Sequence, residues 1–89
     1  MLDAVYITQF KKDLKLVKKR GKNINKLKTI MTKVVNEERL DPKHREHKLV
    51  GKYKNRWECH IEPDWLLIYK VTSKEVIFER TGSHSDLFD

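Results

Sequence analysis

The sequence predicts an α+β fold: a strand and two helices, then a three- or four-strand antiparallel meander, with both helices on one face of a small sheet. Three observations carry this. Two helical stripes lie back to back between residues 9 and 37. Two β-prone runs are joined by the tight turn Glu62-Pro63-Asp64. A third run, Glu75 to Thr81, follows after Thr72-Ser73-Lys74. The chain has 89 residues, 38% of them apolar, which suits one domain (1–89) with one modest core.

Asp3-Ala-Val-Tyr-Ile7 is short and β-prone, a first strand. Thr8 is placed to cap a helix over Gln9–Arg20, where Phe10, Leu14 and Val17 recur on one face, and Gly21 follows as the stop. Asn23 can cap a second helix to about Glu37, with Ile24, Leu27, Ile30 or Met31, and Val34 or Val35 as its stripe. So short a connection makes the helices antiparallel neighbours. Asp41-Pro42 breaks the pattern, and a loop runs to His47. Lys48-Leu49-Val50 reads as a short strand. From Trp57 to Ile61, alternation sets Trp57, Cys59 and Ile61 against Glu58 and His60, so His60 points away from the helices. Trp65 to Val71 is almost continuously apolar, as in a strand covered on both faces. The tail Ser83–Asp89 is read as a single helical turn. Arg80 shares strand parity with Val76 and Phe78, which look like core, so either the strand twists or bulges near its end or Arg80 does not reach the face of His60.

The formal net charge is +7, unevenly placed: between Lys11 and Lys28 nine lysines and arginines face one acid, Asp13. Such a block marks a polyanionic partner or a solvated helix face. The single cysteine excludes an intrachain disulfide and, with the polar start Met1-Leu2-Asp3, points to the cytoplasm; no apolar run reaches membrane-spanning length, and no signal peptide is recognised.

The remaining chemistry clusters late in the chain. RNA carries its own nucleophile, the 2′-OH, so cleavage needs a base, an acid for the leaving 5′-oxygen, and positive charge for the phosphorane. Imidazoles titrate near neutrality and a guanidinium matches phosphate oxygens in a fork. His47, His60 and His84, with Asp64 and Arg80, supply that inventory without a metal, provided that they converge. Phe88 offers a stacking surface or a core plug. Lys11, Lys15, Lys18 and Lys19 are candidate phosphate contacts. His44, His47, Cys59 and His60 could sketch a metal site, although their spacing fits no zinc pattern. Cys59 reads as a small buried apolar residue.

His-Ile-Glu-Pro-Asp-Trp-Leu-Leu-Ile-Tyr-Lys (60–70) and Phe-Glu-Arg-Thr-Gly-Ser-His-Ser-Asp-Leu-Phe (78–88), together with Glu46-His-Lys-Leu-Val-Gly51, resemble the YafQ-type branch of the RelE/ParE toxin superfamily. The resemblance covers nearly the whole chain. It implies a RelE-like domain and a bacterial type II toxin that cuts mRNA in the ribosomal A site. Cleavage would be metal-free and cofactor-free, leaving a 3′-phosphate or cyclic phosphate. It also implies a DinJ-like antitoxin, the pair binding operator DNA through the antitoxin, and no membrane association. By position, His47 and His84 would be base and acid, and His60 and Asp64 would assist. Arg80 would stabilise charge, and Trp65 and Phe88 would position substrate. The order Arg56-Trp57 departs from the family pattern, in which an aromatic precedes the arginine; neighbours on a strand face opposite ways, so the family's arginine role does not transfer to Arg56. Two other classes fit part of the chain: a non-catalytic nucleic-acid-binding module, and a ParE-like protein-directed poison, against which the histidine set argues.

Overall fold

A computed structural model describes residues 1–51 and 55–88. Its elements are β1 (Asp3–Tyr6), α1 (Thr8–Lys19), α2 (Ile24–Val35), a 3₁₀ turn (Pro42–His44), β2 (His47–Lys48), β3 (Trp57–Glu62), β4 (Trp65–Val71), β5 (Glu75–Gly82) and α3 (His84–Phe88). The strands form one sheet in the order β1-β5-β4-β3-β2. Four of them make the expected antiparallel meander. The first strand adds to its far edge, parallel to β5, with Asp3 opposite Glu75 and Tyr6 opposite Phe78. The sheet is therefore mixed.

The helices begin and end near their expected positions. Thr8, however, lies inside α1; the cap position is Ile7, which makes no side-chain capping bond. Asn23 does cap α2, accepting from the Asn25 amide at 3.0 Å. Gly21, at φ +82°, makes the left-handed turn between the helices that a β-carbon would disfavour. The strand expected over Lys48–Val50 is displaced: pairing covers His47 and Lys48 only, and Val50 is exposed. The expected tail helix is present as α3, although Asp89 lies outside the described residues.

The main core sits between the helices and one sheet face. Phe10 and Val17 from α1 and Leu27, Ile30 and Val34 from α2 pack on Cys59, Trp65, Leu67, Tyr69, Val76 and Phe78. Alternate residues of β4, Leu66 and Ile68, face the other way and pack under Leu87 of α3 and beside Leu49. Strand β4 is thus buried on both faces, as its apolar run requires.

Two irregularities, one on each neighbour of β4, re-aim side chains. In the β3–β4 pair, His60 opposes Leu66 and Glu62 opposes Trp65, which leaves Ile61 as an extra residue. In the β4–β5 pair, Phe78 opposes Tyr69 and Arg80 opposes Ile68, which leaves Glu79 extra. A bulge reverses strand parity beyond it. Arg80 therefore leaves the face of Phe78 and joins that of Ile68, resolving the parity conflict in the sequence.

Candidate active site

The outer sheet face, away from α1 and α2, carries two cross-strand rows. One is His47–Glu58–Ile68–Arg80, across four strands; the other is His60–Leu66–Gly82. Partners in a row share a face, and the strands lie about 4.8 Å apart, so the rows present two imidazoles, a carboxylate and a guanidinium to one surface.

Helix α3 is folded back over the second row. Its approach demands glycine at position 82: a β-carbon there would lie 2.8 Å from Asp86 Oδ2, at a backbone φ of +156°. Ser83 Oγ accepts from the Asp86 amide and Asp86 Oδ2 accepts from the Ser83 amide, a reciprocal capping pair. Asp86 also receives Arg20, at the end of α1, through two nitrogens at 2.5 and 3.1 Å. Held this way by Arg20 and the Ser83 amide, the Asp86 carboxyl lies well below the usual carboxylate range.

Asp64, in the β3–β4 turn, takes both the backbone amide (2.9 Å) and ring Nδ1 (2.8 Å) of His84 on one oxygen. These bonds lower the Asp64 pKa, keeping it ionised. The His84 ring lies 5.8 Å from that of His60 and 6.3 Å from that of Phe88, centroid to centroid. Burial lowers the pKa of His60; Glu58 opposes that shift, while His84, Arg45 and His47 add to it. Burial thus favours the neutral imidazole at His60. Its Nδ1 is buried without a hydrogen-bond partner among the described residues, and its carbonyl accepts from His44 Nδ1 at 2.7 Å.

In the other row, the carbonyl of Arg45 takes His47 Nδ1 at 2.7 Å, which sets the tautomer and leaves Nε2 as the second nitrogen. That Nε2 lies 3.4 Å from Glu58 Oε1, whose residue is only 5% exposed. A proton arriving on Nε2 would sit directly beside this carboxylate.

His60, Asp64, His84 and Phe88 thus meet at one face. His47 and Arg80 stand at the two ends of the neighbouring row, three strand spacings or about 14 Å apart, with the Arg80 guanidinium bonded to Asp13 of α1. Trp65 is not among them. It is 1% exposed in the helix-side core, its Nε1 donating to Thr81 Oγ1 at 3.0 Å, so its ring cannot stack on a substrate and instead braces β4 against β5. Lys11, Lys15, Lys18 and Lys19 are exposed along α1, and among the described residues none pairs with a group of the outer face. Beyond His60, around the edge of β3, lies a groove of about 770 Å³ whose walls carry Lys26, Lys33, Lys43, His44 and Arg45. Lys26 is paired with Glu62 at 2.9 Å.

Three contributors escaped the sequence reading. Glu58 shares the parity of His60, which was the signal available for it. Asp13 is buried, and as the lone acid of the basic block, three residues from Phe10, it stands on the core side of α1. The buried Tyr69 hydroxyl donates to Glu46, a pairing that nothing local announces. Arg56 pairs with Glu79, the bulged residue, at 2.8 Å. Cys59 is wholly buried, its thiol pushed up to about 12, and no group of three or more His, Cys, Asp or Glu among the described residues is arranged to hold a metal ion.

A RelE-like sheet with histidines on the face away from α1 and α2 is the class that this geometry defines, and solved structures agree. The crystal structure of YafQ from Escherichia coli BL21(DE3) superposes with a TM-score of 0.95 at 44% identity, covering all of both chains. In the E. coli DinJ–YafQ complex the corresponding values are 0.93 and 46%, again over all of both chains. The mRNA interferase toxin YafQ of E. coli K12 is 47% identical over 87 residues, 97% of this chain and 95% of that protein. A family model described as the bacterial toxin of type II toxin–antitoxin systems, YafQ, matches residues 2–89. The chain belongs to the YafQ toxin family.

Proposed function

We propose that this protein is an endoribonuclease toxin that cuts mRNA on the ribosome by attack of the ribose 2′-OH, without a metal. The observation that carries the reading is the meeting of His60, His84 and Asp64 beside the His47–Glu58–Arg80 row on one face. His47 Nε2 would take the 2′-OH proton, which then rests beside Glu58. The 2′-oxygen forms a bond to phosphorus, and the bond to the 5′-oxygen breaks. His84, bonded through Nδ1 to Asp64 at 2.8 Å, would give that oxygen a proton. The products are a 2′,3′-cyclic phosphate, open to later hydrolysis, and a 5′-OH. Arg80 would oppose the phosphorane charge, neutral His60 would orient a phosphate oxygen or water, and Phe88 would support a base.

The α1 lysines would steer the ribosome-bound message from a distance, and the groove beyond His60 would hold phosphates flanking the cut. A DinJ-like antitoxin is the proposed neutralising partner, by analogy with the solved complex, with operator binding residing in the antitoxin. The test is to map RNA ends in cells expressing the protein or its His84→Ala variant. New ends within coding regions should appear for the first and vanish for the second; equal cleavage by His84→Ala overturns the mechanism. Cleavage that needs an added metal ion overturns the metal-free scheme.

A further inference from the structure

The buried carboxylate of Asp13 has no part in the chemistry above, yet it is one of the best-bonded groups in the molecule. At 7% exposure, a carboxylate is costly unless its oxygens are satisfied. Oδ1 accepts from Gln9 Nε2 at 3.0 Å and from Arg80 Nη2 at 3.3 Å. Oδ2 accepts from Arg80 Nε at 2.7 Å and from the Thr81 amide at 3.1 Å. The last bond has a topological cause. Strand β1 stops pairing at Tyr6 opposite Phe78, so at Thr81 the edge of β5 has no strand beside it, and α1 supplies the acceptor instead.

The guanidinium is thus gripped by two nitrogens on two oxygens, which sets its plane as well as its place. Nε and Nη2 form the edge of that plane that meets Asp13. The grip falls directly beyond the Glu79 bulge, where Arg80 has crossed to the outer face and entered the row of Glu58 and His47. Thr81 is fixed in turn, because its hydroxyl donates to the Leu66 carbonyl at 2.8 Å and accepts from Trp65. A helix packed on the other side of the sheet therefore fixes the plane of the Arg80 guanidinium.

We propose that Asp13 is the positioning residue of Arg80: it holds the plane of the guanidinium in the orientation in which this cation opposes the charge developing on the scissile phosphate. The proposal rests on the ribonuclease reading. The competing account is that Arg80 is there to neutralise a buried acid, and the two accounts part on whether orientation or only charge matters.

The experiment measures the cleavage of a ribosome-bound message by purified protein, as kcat and KM, with urea unfolding in parallel. The variants are Asp13→Asn, Arg80→Ala, Arg80→Lys and the Asp13→Asn/Arg80→Ala double. Asparagine keeps an acceptor for the Thr81 amide but sets an NH2 against the guanidinium, so the fork is lost. Asp13→Asn should lower kcat about 10- to 100-fold with KM nearly unchanged. In the Arg80→Ala background the same change should alter kcat less than about 2-fold. Arg80→Lys keeps the charge beside Asp13 but not the fork, and should be nearly as slow as Arg80→Ala while unfolding at a urea concentration close to wild type. If Asp13→Asn slows both backgrounds equally, or Arg80→Lys matches wild type, the positioning role is overturned. Should Asp13→Asn fail to fold, Arg80→Lys decides alone. If Arg80→Ala is fully active, the ribonuclease reading of Arg80 fails, and this inference with it.

Discussion

The two faces of the β3–β4–β5 sheet are drawn from the same three strands, residue by alternate residue, and share almost no chemistry. The face under α1 and α2 is a closed apolar surface of Cys59, Leu67, Tyr69, Val76 and Phe78, whose polar atoms find partners within the protein. The outer face has only a thin apolar patch, Leu66 and Ile68 under Leu87, around which stand Glu58, His60, Arg80 and His84. The first face holds the fold together and the second holds charges near solvent. The bulges at Ile61 and Glu79 let one strand serve both, by switching sides where the apolar requirement ends.

If that division is right, substitutions on the two faces should fail in different assays. The greatest contrast is between His84 and Phe78. Removing the His84 ring should cost about 10²- to 10⁴-fold in cleavage, while the urea midpoint barely moves because the side chain is 55% exposed. Phe78→Ala should instead cost about 3–5 kcal/mol in urea unfolding, since the ring is completely buried. At temperatures where the variant stays folded, its cleavage should be near normal. A Phe78 variant that is stable but inactive would break the comparison.

The next effect concerns the groove. Lys33→Glu together with Lys43→Glu should weaken binding of a 2′-deoxy-substituted RNA oligonucleotide, and the slope of log K against log salt should fall by about 0.7 for each phosphate no longer neutralised. Charge reversal at Lys11 and Lys15 should act mainly on the rate of association. Equal loss of equilibrium affinity from both pairs would mean that the groove holds nothing in particular.

The smallest expected effect is on pH and stability. Because burial lowers the folded-state pKa of His60, the unfolded chain takes up that proton first as pH falls through about 6.5. The contribution is complete above that pH and declines below it, until the folded-state pKa is passed. His60→Gln should therefore lose less stability than wild type between pH 7.5 and pH 5, as read from urea midpoints; an equal loss would show that another group sets the acid sensitivity.

What could be read from sequence follows the range of the interaction involved. The strand Trp57–Glu62 could be assigned to faces, because alternation is local, and His60 lies where alternation put it. The αα-hairpin was equally legible, its stripe and its glycine stop both lying within a few residues. In Phe78-Glu79-Arg80, by contrast, only the parity of Arg80 hinted at a bulge or twist, and nothing local fixed which residue would be extra; the carboxylate that takes Arg80 lies 67 residues away. The parallel pairing of β1 with β5 is non-local too. Trp65 was misplaced for another reason. It heads a run that reads as buried on both faces, and the substrate-positioning role that the resemblance implies runs against that pattern.

The pairing of β1 with β5 also bears on when such a protein can act during its own synthesis. The strand made first finds its neighbour only after residues 75 to 78 exist, and His84 and Phe88 emerge later still. Until then the amino-terminal strand has no edge to join, and α1 has no Thr81 or Arg80 to hold. Non-local pairing of this kind closes late and slowly. A growing polypeptide therefore makes its lysine-rich helices before the groups of the outer face can assemble, and that cluster forms only after residues 75 to 88 exist.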